Sequence, residues 1–360
     1  MGYMQRALEL SREALGLSSP NPPVGAVVVK DGQVVGEGHT LPPGQAHAEI
    51  MALQQAGERA RGAHLYTTLE PCCHFGKTPP CTRDIISAGI TDVHVATLDP
   101  NPLVNGKGVA ELEDAGLSVH LDECGHEARQ LVEAYTRFVE TGLPFVTAKF
   151  AMSLDGKIAT ASGDSRWISS EEARRRAAEL RRQSDAVMVG IGTVLADDPR
   201  LTARDEAGKN LPRQPLRVIV EGEASLPSDA QLLREPGAVF LATPKSAVER
   251  AATLGMPGAE VVQLTAGDGS VDLEAMMQAL GQRGVTSLLV EGGGVLLGSL
   301  FDLGLVDKVA AFVSPVILGG RDAPSPVAGA GADVMASAIR LTRSKAELIG
   351  DDVMITGYVR

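Results

Sequence analysis

The stretch His47-Ala48-Glu49, followed by Pro71-Cys72 and then by Cys81, decides how this sequence is interpreted. One imidazole and two thiolates suit a zinc ion of the catalytic kind, which takes three protein ligands and keeps a fourth position for water. The histidine is expected at the start of one helix and Cys81 at the start of another, and helix N-termini favour the thiolate form that zinc requires. The sequence therefore predicts a zinc site built from His47, Cys72 and Cys81.

Glu49, two residues after the histidine, is predicted to carry protons and not to bind the metal. Zinc lowers the pKa of a bound water towards neutrality, and a neighbouring carboxylate can accept that proton and deliver it to a departing amine. Zinc deaminases combine a His/Cys/Cys-bound metal with such a glutamate, although their signature places the two cysteines three positions apart. In this chain the two cysteines are nine positions apart, so the intervening loop is longer.

Two other interpretations of these residues stay open at this point. A structural zinc would require a fourth protein ligand, which Cys73 or His74 could supply. Alternatively, the cysteines are simply buried thiols and no metal is bound. Cys73 and Cys124 are expected to be packing residues.

The composition limits the classes of protein to which the chain can belong. A length of 360 residues suggests two domains, and 44% hydrophobic with 22% charged residues indicates buried cores. A net charge of −12 disfavours nucleic acid and anionic membranes as partners. The few cysteines, the charged N-terminal segment and the lack of an apolar run of about 18 residues favour a cytoplasmic enzyme.

The hydrophobic pattern predicts an α/β fold in both halves of the chain. In the first half, an opening helix is followed by elements in the order β-β-α-β-α-β, and His126–Glu140 is predicted to be one helix. The second half combines strand-like runs with helices and ends in two long strands. Thr141-Gly142-Leu143-Pro144 is the best linker candidate, so the domain boundary is predicted near residue 143.

A second site is suggested by Val290-Glu291-Gly292-Gly293-Gly294-Val295, which joins a predicted strand to an apolar helix. Glycines at such a turn allow backbone N–H groups to approach a phosphate closely, and the helix dipole adds attraction. The pattern is not Gly-x-Gly-x-x-Gly. By itself it is better explained as an ordinary tight turn.

The first half of the chain resembles the deaminase half of the bifunctional riboflavin-biosynthesis family. The resemblance is carried by Asn21–Gly25, Glu70–Cys81 and Asp99–Pro102. Cys73 departs from the family pattern, which has a serine or a similar residue there, and this departure leaves the metal ligands intact. The resemblance implies a zinc site at His47, Cys72 and Cys81 and a catalytic Glu49.

The second half resembles the reductase half of the same family, whose cofactor is NADPH. The resemblance is carried by Lys149–Lys157, Gly163–Ile168, Gly192–Pro199 and the glycine turn. It implies that the cofactor is lined by Ala151, Trp167, Thr193, Asp197, Gly293, Gly294, Val295, Leu296, Leu297, Gly298 and Ser299. It implies that the substrate is lined by Ser165, Arg181, Leu201, Arg204 and Glu291.

Taken together, the two resemblances imply an α/β chain in which a cytidine-deaminase-like three-layer domain, residues 1–143, precedes a dihydrofolate-reductase-like domain, residues 144–360. The first would use zinc to deaminate 2,5-diamino-6-ribosylamino-4(3H)-pyrimidinone 5′-phosphate, and the second would use NADPH to reduce the ribosyl to a ribityl side chain. A homo-oligomer is expected because family members are commonly oligomeric. The expected partner is a small phosphorylated pyrimidine, with neither nucleic acid nor membrane.

Three rival functions remain at the level of sequence. The first is a nucleoside or tRNA deaminase with an unrelated fused domain, which the acidic balance and the lack of basic or aromatic stretches disfavour. The second is a dihydrofolate-type reductase with a vestigial zinc module. The third is a non-catalytic protein with a structural zinc.

Overall fold

The computed structural model of the chain describes residues 2–76, 79–205, 207–222, 226–248 and 259–359. Lys77 and Thr78, which belong to the motif Glu70–Cys81, lie outside the described residues. The chain divides into two compact units. The first comprises Met1–Leu143 and Gly284–Thr286, and the second comprises Pro144–Arg283 and Ser287–Arg360.

The first unit is built on a mixed sheet. Its helices are α1 (Tyr3–Ala14), α2 (Ala48–Ala56), α3 (Cys81–Ser87), α4 (Lys107–Asp114), α5 (Gly125–Leu131) and α6 (Glu133–Thr141). Its strands are β1 (Gly25–Lys30), β2 (Gln33–His39), β3 (His64–Thr67), β4 (Asp92–Val95) and β5 (Ser118–Leu121), in the spatial order β2-β1-β3-β4-β5. Strand β1 is antiparallel to both neighbours, whereas β3, β4 and β5 are parallel.

Strand β1 shows why this unit has three layers. Successive side chains of a strand point to opposite faces, and the middle of β1 is apolar on both faces. Val27 and Val29 pack in one cluster with α1, and Ala26 and Val28 pack in another with α2. A Cβ atom on Gly36 of β2 would lie 2.0 Å from a carbonyl oxygen of α2. That glycine therefore lets α2 lie directly on the sheet and fixes the helix that begins beside His47.

The second unit is built on a longer sheet. Its helices are α7 (Glu171–Arg182), α8 (Ile191–Asp197), α9 (Gln231–Arg234), α10 (Leu273–Gln282) and α11 (Gly294–Asp302). Its strands are β6 (Phe145–Ser153), β7 (Ala186–Gly190), β8 (Leu216–Val220), β9 (Val239–Thr243), β10 (Ala259–Gln263), β11 (Ser287–Glu291), β12 (Lys308–Ser314), β13 (Thr342–Ile349) and β14 (Asp352–Tyr358).

The strands of the second unit lie in the order β10-β9-β8-β7-β11-β6-β12-β14-β13. Every neighbouring pair from β10 to β12 is parallel, and α7, α8, α9, α10 and α11 each lie in a connection between two of these strands. The hairpin of β13 and β14 continues the sheet in antiparallel fashion beside β12. The α/β prediction is therefore confirmed for both units.

Several elements differ from the sequence-based prediction. The segment His126–Glu140 is not one helix, because α5 and α6 are separated at Val132. Ala128 of α5 packs in the cluster of α1, whereas Val132 and Tyr135 pack in the cluster of α2, and one straight helix could not contact both. Helices α4, α8 and α9 and strand β13 were not predicted.

Candidate active site

The three predicted zinc ligands lie together in the first unit. His47 is the N-cap residue of α2, Cys81 is the first residue of α3, and Cys72 lies in the loop between β3 and α3. The Nδ1 atom of His47 is 3.3 Å from the Sγ atom of Cys81 and 3.6 Å from the Sγ atom of Cys72. The three ligand atoms all lie within 4.8 Å of one another. One metal ion can therefore contact all three side chains.

The fourth ligand that a structural zinc would need is not supplied by the neighbouring side chains. In the described part of the chain, neither Cys73 nor His74 belongs to the metal-capable group. The Cys73 thiol lies 3.9 Å from the carbonyl oxygen of Leu103 instead. The geometry therefore fits a three-ligand site better than a closed four-ligand site.

A hydrogen bond joins the two thiols of the site. A hydrogen bond from the Cys81 thiol lowers the pKa of Cys72, and the same hydrogen bond raises the pKa of Cys81. The backbone N–H of Cys81 also donates to the Cys72 sulfur, at 3.4 Å. A divalent cation bound between the sulfurs would displace the proton of this hydrogen bond. The donor set of one nitrogen and two sulfurs suits zinc.

Glu49 is buried beside these ligands, with 4% of its surface exposed. It is the second residue of α2, two positions after the His47 cap. Burial raises the pKa of Glu49 to about 7, although the nearby His47 ring opposes the shift. A carboxyl group with a pKa near neutrality can both accept and release a proton at physiological pH. The position and the raised pKa of Glu49 therefore suit the predicted role of proton carrier.

Glu70 organises the loop beside the site, and sequence reasoning assigned it no role. Its buried carboxylate accepts backbone N–H groups from Asp99 at 3.1 Å, Gly106 at 3.0 Å and Val109 at 3.1 Å. Through Pro71 it is joined directly to Cys72. Its signal in the sequence is a lone carboxylate at the end of an apolar strand, where burial requires several donors.

Asp99 connects that loop to α6. Its carboxylate accepts a hydrogen bond from the Tyr135 hydroxyl at 3.2 Å and from the backbone N–H of Asn101 at 2.8 Å. Burial raises the pKa of Asp99 to about 6. The loop that follows β4 is therefore fixed at both Glu70 and Asp99.

In the second unit, several residues assigned to the cofactor lie near the carboxyl ends of neighbouring parallel strands. Thr193 belongs to α8, which directly follows β7, and Gly293 follows β11, the next strand in the sheet. A Cβ atom on Gly293 would lie 3.3 Å from the Thr193 hydroxyl oxygen. Ala151 lies near the end of β6, on the other side of β11. Open α/β sheets bind ligands at this edge.

The glycines after β11 serve two purposes. Gly292 and Gly293 both have a φ of +83°, a conformation that other residues adopt only with strain. They make the tight turn before α11, whose N-terminal N–H groups suit a phosphate. A Cβ atom on Gly294 or Gly298 would instead lie 2.6 or 2.2 Å from backbone carbonyl oxygens of Ser325 and Ala328. Because Gly294 and Gly298 have no side chain, the backbone at Ser325 and Ala328 can pack directly against α11.

The other residues of this turn differ in exposure. The side chains of Leu296 and Leu297 are buried, whereas Val295 is exposed. The Ser299 hydroxyl donates to the Val295 carbonyl oxygen at 3.2 Å. Leu297 can thus contribute to a cofactor site only through the backbone, while Val295 can contribute its side chain.

The loop after β6 brings Ser165 and Asp197 together. The Ser165 hydroxyl donates to the Asp197 carboxylate at 3.0 Å, and the Arg166 guanidinium donates to the Asp197 carbonyl oxygen. Trp167 is 71% exposed, with the Arg174 guanidinium 4.4 Å from the centre of its ring. The single tryptophan is therefore a surface aromatic and not part of the core, which suits stacking against a flat ligand.

Arg181 and Glu291 are paired with each other in the interior of the second unit. Two hydrogen bonds of 2.6 and 2.9 Å join the guanidinium to the carboxylate, and Arg181 also donates to the Thr202 carbonyl oxygen. The Lys149 ammonium lies 3.8 Å from the same carboxylate, and burial lowers the pKa of Lys149. Sequence reasoning assigned no role to Lys149, although a lysine within an otherwise uncharged strand indicates a buried partner.

The remaining two predicted substrate residues, Leu201 and Arg204, differ in burial. The Leu201 side chain is buried in the core of the second unit. Arg204 is half-buried, and desolvation together with the nearby Arg181 and Arg200 lowers its pKa. Because Arg181 is already paired with Glu291, Arg204 is the better placed of the two predicted arginines to receive an anion.

Comparison with known proteins agrees with this geometry. The family model of the RibD C-terminal domain matches residues 144–355, and that of the cytidine and deoxycytidylate deaminase zinc-binding region matches residues 2–97. The chain is 42% identical to riboflavin biosynthesis protein RibD of Aquifex aeolicus, over 98% of this chain and 96% of that protein. The chain belongs to the RibD family. The RibD of Escherichia coli K12 is 38% identical over 98% of this chain and 97% of its own length.

Solved RibD structures share the whole fold. The structure of Acinetobacter baumannii RibD superimposes with a TM-score of 0.87 and 37% identity, covering 99% of this chain and 97% of the other. A deaminase/reductase from Thermotoga maritima, named for diaminohydroxyphosphoribosylaminopyrimidine and 5-amino-6-(5-phosphoribosylamino)uracil, superimposes with a TM-score of 0.85 and 36% identity over the same shares. The predicted cytidine-deaminase-like and reductase folds are confirmed, and the rival of an unrelated fused domain is excluded.

Proposed function

We propose that this chain catalyses two consecutive reactions of riboflavin biosynthesis. The first unit, over residues 1–143, hydrolytically deaminates 2,5-diamino-6-ribosylamino-4(3H)-pyrimidinone 5′-phosphate. The second unit, over residues 144–360, reduces the ribosyl group of the deaminated product to a ribityl side chain. Membership of the RibD family, with both family models matched in order, supports this assignment.

The observation that carries the deaminase assignment is the grouping of His47, Cys72 and Cys81 beside the buried Glu49. These three side chains would hold zinc, which when bound acts as a Lewis acid that makes water nucleophilic near neutral pH. Glu49 would take up one proton of the attacking water and pass it to the ring nitrogen, and would then pass the second proton of that water to the departing amino group. Its pKa of about 7 allows both transfers.

The reductase assignment rests on the carboxyl edge of the second sheet. The turn Gly292–Gly293 and the N-terminus of α11 fit a dinucleotide phosphate, and the exposed Trp167 fits a flat ring. NADPH, when bound, supplies the hydride, and the protein orients it. Arg204 would bind the substrate phosphate through its planar guanidinium, while the Arg181–Glu291 pair shapes the floor of the site.

The partner of this enzyme is a small phosphorylated pyrimidine. No helix in the described ranges is long and apolar enough to cross a lipid bilayer. We place the enzyme in the cytoplasm, in accordance with its composition, and expect it to assemble from identical subunits.

The test of the deaminase assignment uses the full chain loaded with zinc and two separate assays. One assay measures ammonia released from the pyrimidinone phosphate, and the other measures NADPH oxidation with the deaminated substrate. Glu49→Gln should lower ammonia release by roughly 10²–10⁴-fold and leave NADPH oxidation unchanged. Glu113→Gln, an exposed change in α4, is the matched control. Full ammonia release by Glu49→Gln would disprove the assigned role.

The reductase assignment is tested by Arg204→Met in the NADPH assay. Loss of the guanidinium should raise KM for the phosphorylated substrate with a smaller effect on kcat, because the arginine binds a group remote from the reacting carbon. Ammonia release should be unchanged. An unaltered KM would remove Arg204 from the substrate site.

A further inference from the structure

Asp155 is an exposed carboxylate in the turn that follows β6, and it accepts hydrogen bonds from a distant part of the chain. The backbone N–H of Leu318 donates to its Oδ1 atom at 3.1 Å, and the backbone N–H of Gly319 donates to its Oδ2 atom at 2.7 Å. Leu318 and Gly319 follow Asp155 by 163 and 164 positions. The carboxylate therefore makes a specific contact between two loops.

The turn around Asp155 fixes the direction of its carboxylate. The buried Ser153 hydroxyl donates to Oδ1 of Asp155 at 2.6 Å and accepts the backbone N–H of Lys157 at 2.9 Å. The hydrogen bond from Ser153, followed by those from Leu318 and Gly319, lowers the pKa of Asp155 to about 2. The carboxylate is therefore ionised at physiological pH, and both oxygens remain acceptors.

Further hydrogen bonds join the same two loops. They run from the Leu154 N–H to the Val316 carbonyl at 2.8 Å, from the Ile158 N–H to the Pro324 carbonyl at 2.9 Å, and from the Lys157 ammonium to the Ala323 carbonyl at 3.1 Å. Together with the two hydrogen bonds to Asp155, they attach the chain after β12 to the turn after β6.

The chain after β12 then packs against the start of α11. The backbone N–H of Ala328 donates to the Gly294 carbonyl at 2.9 Å, and the backbone at Ser325 lies against Gly294. We call residues 316–328 the bridging segment. Between β12 and β13 the chain forms only the short 3₁₀ helix Met335–Ser337. The bridging segment is therefore ordered by its contacts at the two ends, and long loops of this kind usually serve a function.

Both ends of the bridging segment lie beside residues assigned to the cofactor. Ala151 precedes Ser153 by two positions in β6, and Gly293 directly precedes α11. Strands β6 and β11 are parallel neighbours, so their carboxyl ends lie side by side. The bridging segment thus connects the two parts of the candidate cofactor site that follow these strands.

We propose that Asp155 is a positioning residue of the reductase, which holds the bridging segment in place and thereby keeps the start of α11 and the end of β6 in the arrangement that binds NADPH. This inference rests on the proposed reductase function. Asp155 acts through the segment and contacts neither of the reacting groups. Loss of its hydrogen bonds lowers the fraction of molecules in the binding-competent arrangement, and the apparent affinity falls by that fraction.

The binding test uses the full chain and NADPH as the probe. Trp167 is the only tryptophan, so quenching of its fluorescence by NADPH gives the dissociation constant without turnover. Asp155→Ala removes both acceptors and should raise this constant roughly five- to fifty-fold, whereas Asp155→Asn keeps one oxygen and should raise it roughly two- to ten-fold. In the NADPH oxidation assay, KM for NADPH should rise in the same order and kcat should change far less, because bound cofactor restores the segment.

A charge control separates positioning from electrostatics. NADPH is an anion, so loss of a negative charge by itself would leave its binding unchanged or strengthen it. Asp322→Asn removes an exposed carboxylate from the same segment and measures that effect. Weaker binding by Asp155→Asn together with unchanged or tighter binding by Asp322→Asn therefore assigns the loss to the hydrogen bonds. Ammonia release by the first unit confirms in each variant that the protein is folded.

Hydrogen exchange tests the contact itself in the absence of cofactor. The amides of Leu318 and Gly319 should exchange roughly tenfold faster or more in Asp155→Ala than in the parent chain. A parent chain that binds NADPH, with Asp155→Ala binding it equally tightly, would overturn the positioning role and leave the reductase assignment intact. Unchanged exchange at both amides would also overturn it. A parent chain that fails to bind NADPH would overturn the reductase assignment and the positioning role with it.

Discussion

Replacement of Glu70 by glutamine tests whether one buried carboxylate fixes the loop beside the zinc ligands. The carboxylate oxygen Oε2 accepts the backbone N–H groups of Asp99 and Gly106, and Oε1 accepts that of Val109. Glutamine has the same length and shape but carries an NH₂ group in place of one oxygen. In its best orientation the glutamine oxygen still accepts the N–H groups of Asp99 and Gly106. Its NH₂ group then faces the N–H group of Val109, so the third hydrogen bond is lost and two donors oppose each other.

The cost follows from these three contacts. A hydrogen bond to a charged acceptor contributes about 1.5–3 kcal/mol, and a buried donor left without a partner costs about 1–3 kcal/mol. Glu70→Gln should therefore lower the free energy of unfolding of the first unit by about 2–4 kcal/mol. For a unit of this size that corresponds to a fall in Tm of roughly 5–15 °C. Zinc affinity should fall with it, because Glu70 is joined through Pro71 to Cys72.

Differential scanning calorimetry of the full chain is the suitable assay. The transition of the first unit is identified as the one that shifts when a chelator is added, and the transition of the second unit serves as an internal reference. Glu113→Gln controls for the loss of a negative charge at an exposed position. A change in stability below about 0.5 kcal/mol, with zinc retained, would refute the reasoning.

Three further predictions concern buried groups. Arg181→Met leaves Glu291 with a single cationic neighbour, so the second unit should lose about 3 kcal/mol in thermal unfolding; an unchanged Tm would contradict this. Gly298→Ala forces a methyl group against a carbonyl oxygen and should cost about 1–3 kcal/mol in denaturant unfolding, with no effect on ammonia release. Burial raises the pKa of Asp99 to about 6, so the stability it contributes is present at low pH and is lost as the pH rises through 6. Asp99→Asn should thus gain stability relative to the parent chain as the pH rises from about 4 to about 6, and a difference that is constant with pH would disprove the shift.

The parts of the fold that follow local rules could be predicted from the sequence. The continuous apolar run that forms β1 is set by neighbouring residues, as is the start of α2 beside His47. The break between α5 and α6 could not be predicted, because it arises where the chain passes from one face of the sheet to the other. Strand β13 was missed for a related reason. Its residues, from Thr342 to Ile349, have no apolar face that would reveal a strand.

The residues of the candidate site likewise include some that could be predicted from the sequence and some that could not. The grouping of His47, Cys72 and Cys81 could be predicted because few roles other than metal binding require one histidine and two cysteines together. Glu70 and Lys149 were assigned no role because theirs depends on partners 29 or more positions away, such as Asp99 for Glu70 and Glu291 for Lys149. Burial creates these roles, and a single sequence does not show which charged side chain is buried.

The metal-ligating atoms of His47, Cys72 and Cys81 are brought together only when the first unit is folded. His47 occupies the N-cap position of α2 and Cys81 is the first residue of α3, and both helices pack into one core cluster. An unfolded chain does not hold these atoms at bonding distance, so the cation binds only the native form. Above its dissociation constant, such a cation raises the free energy of unfolding in proportion to the logarithm of its concentration. Metal scarcity would consequently shorten the lifetime of the first unit against proteases, while the second, whose cofactor is organic, would persist. One polypeptide would then have two separately controlled half-lives.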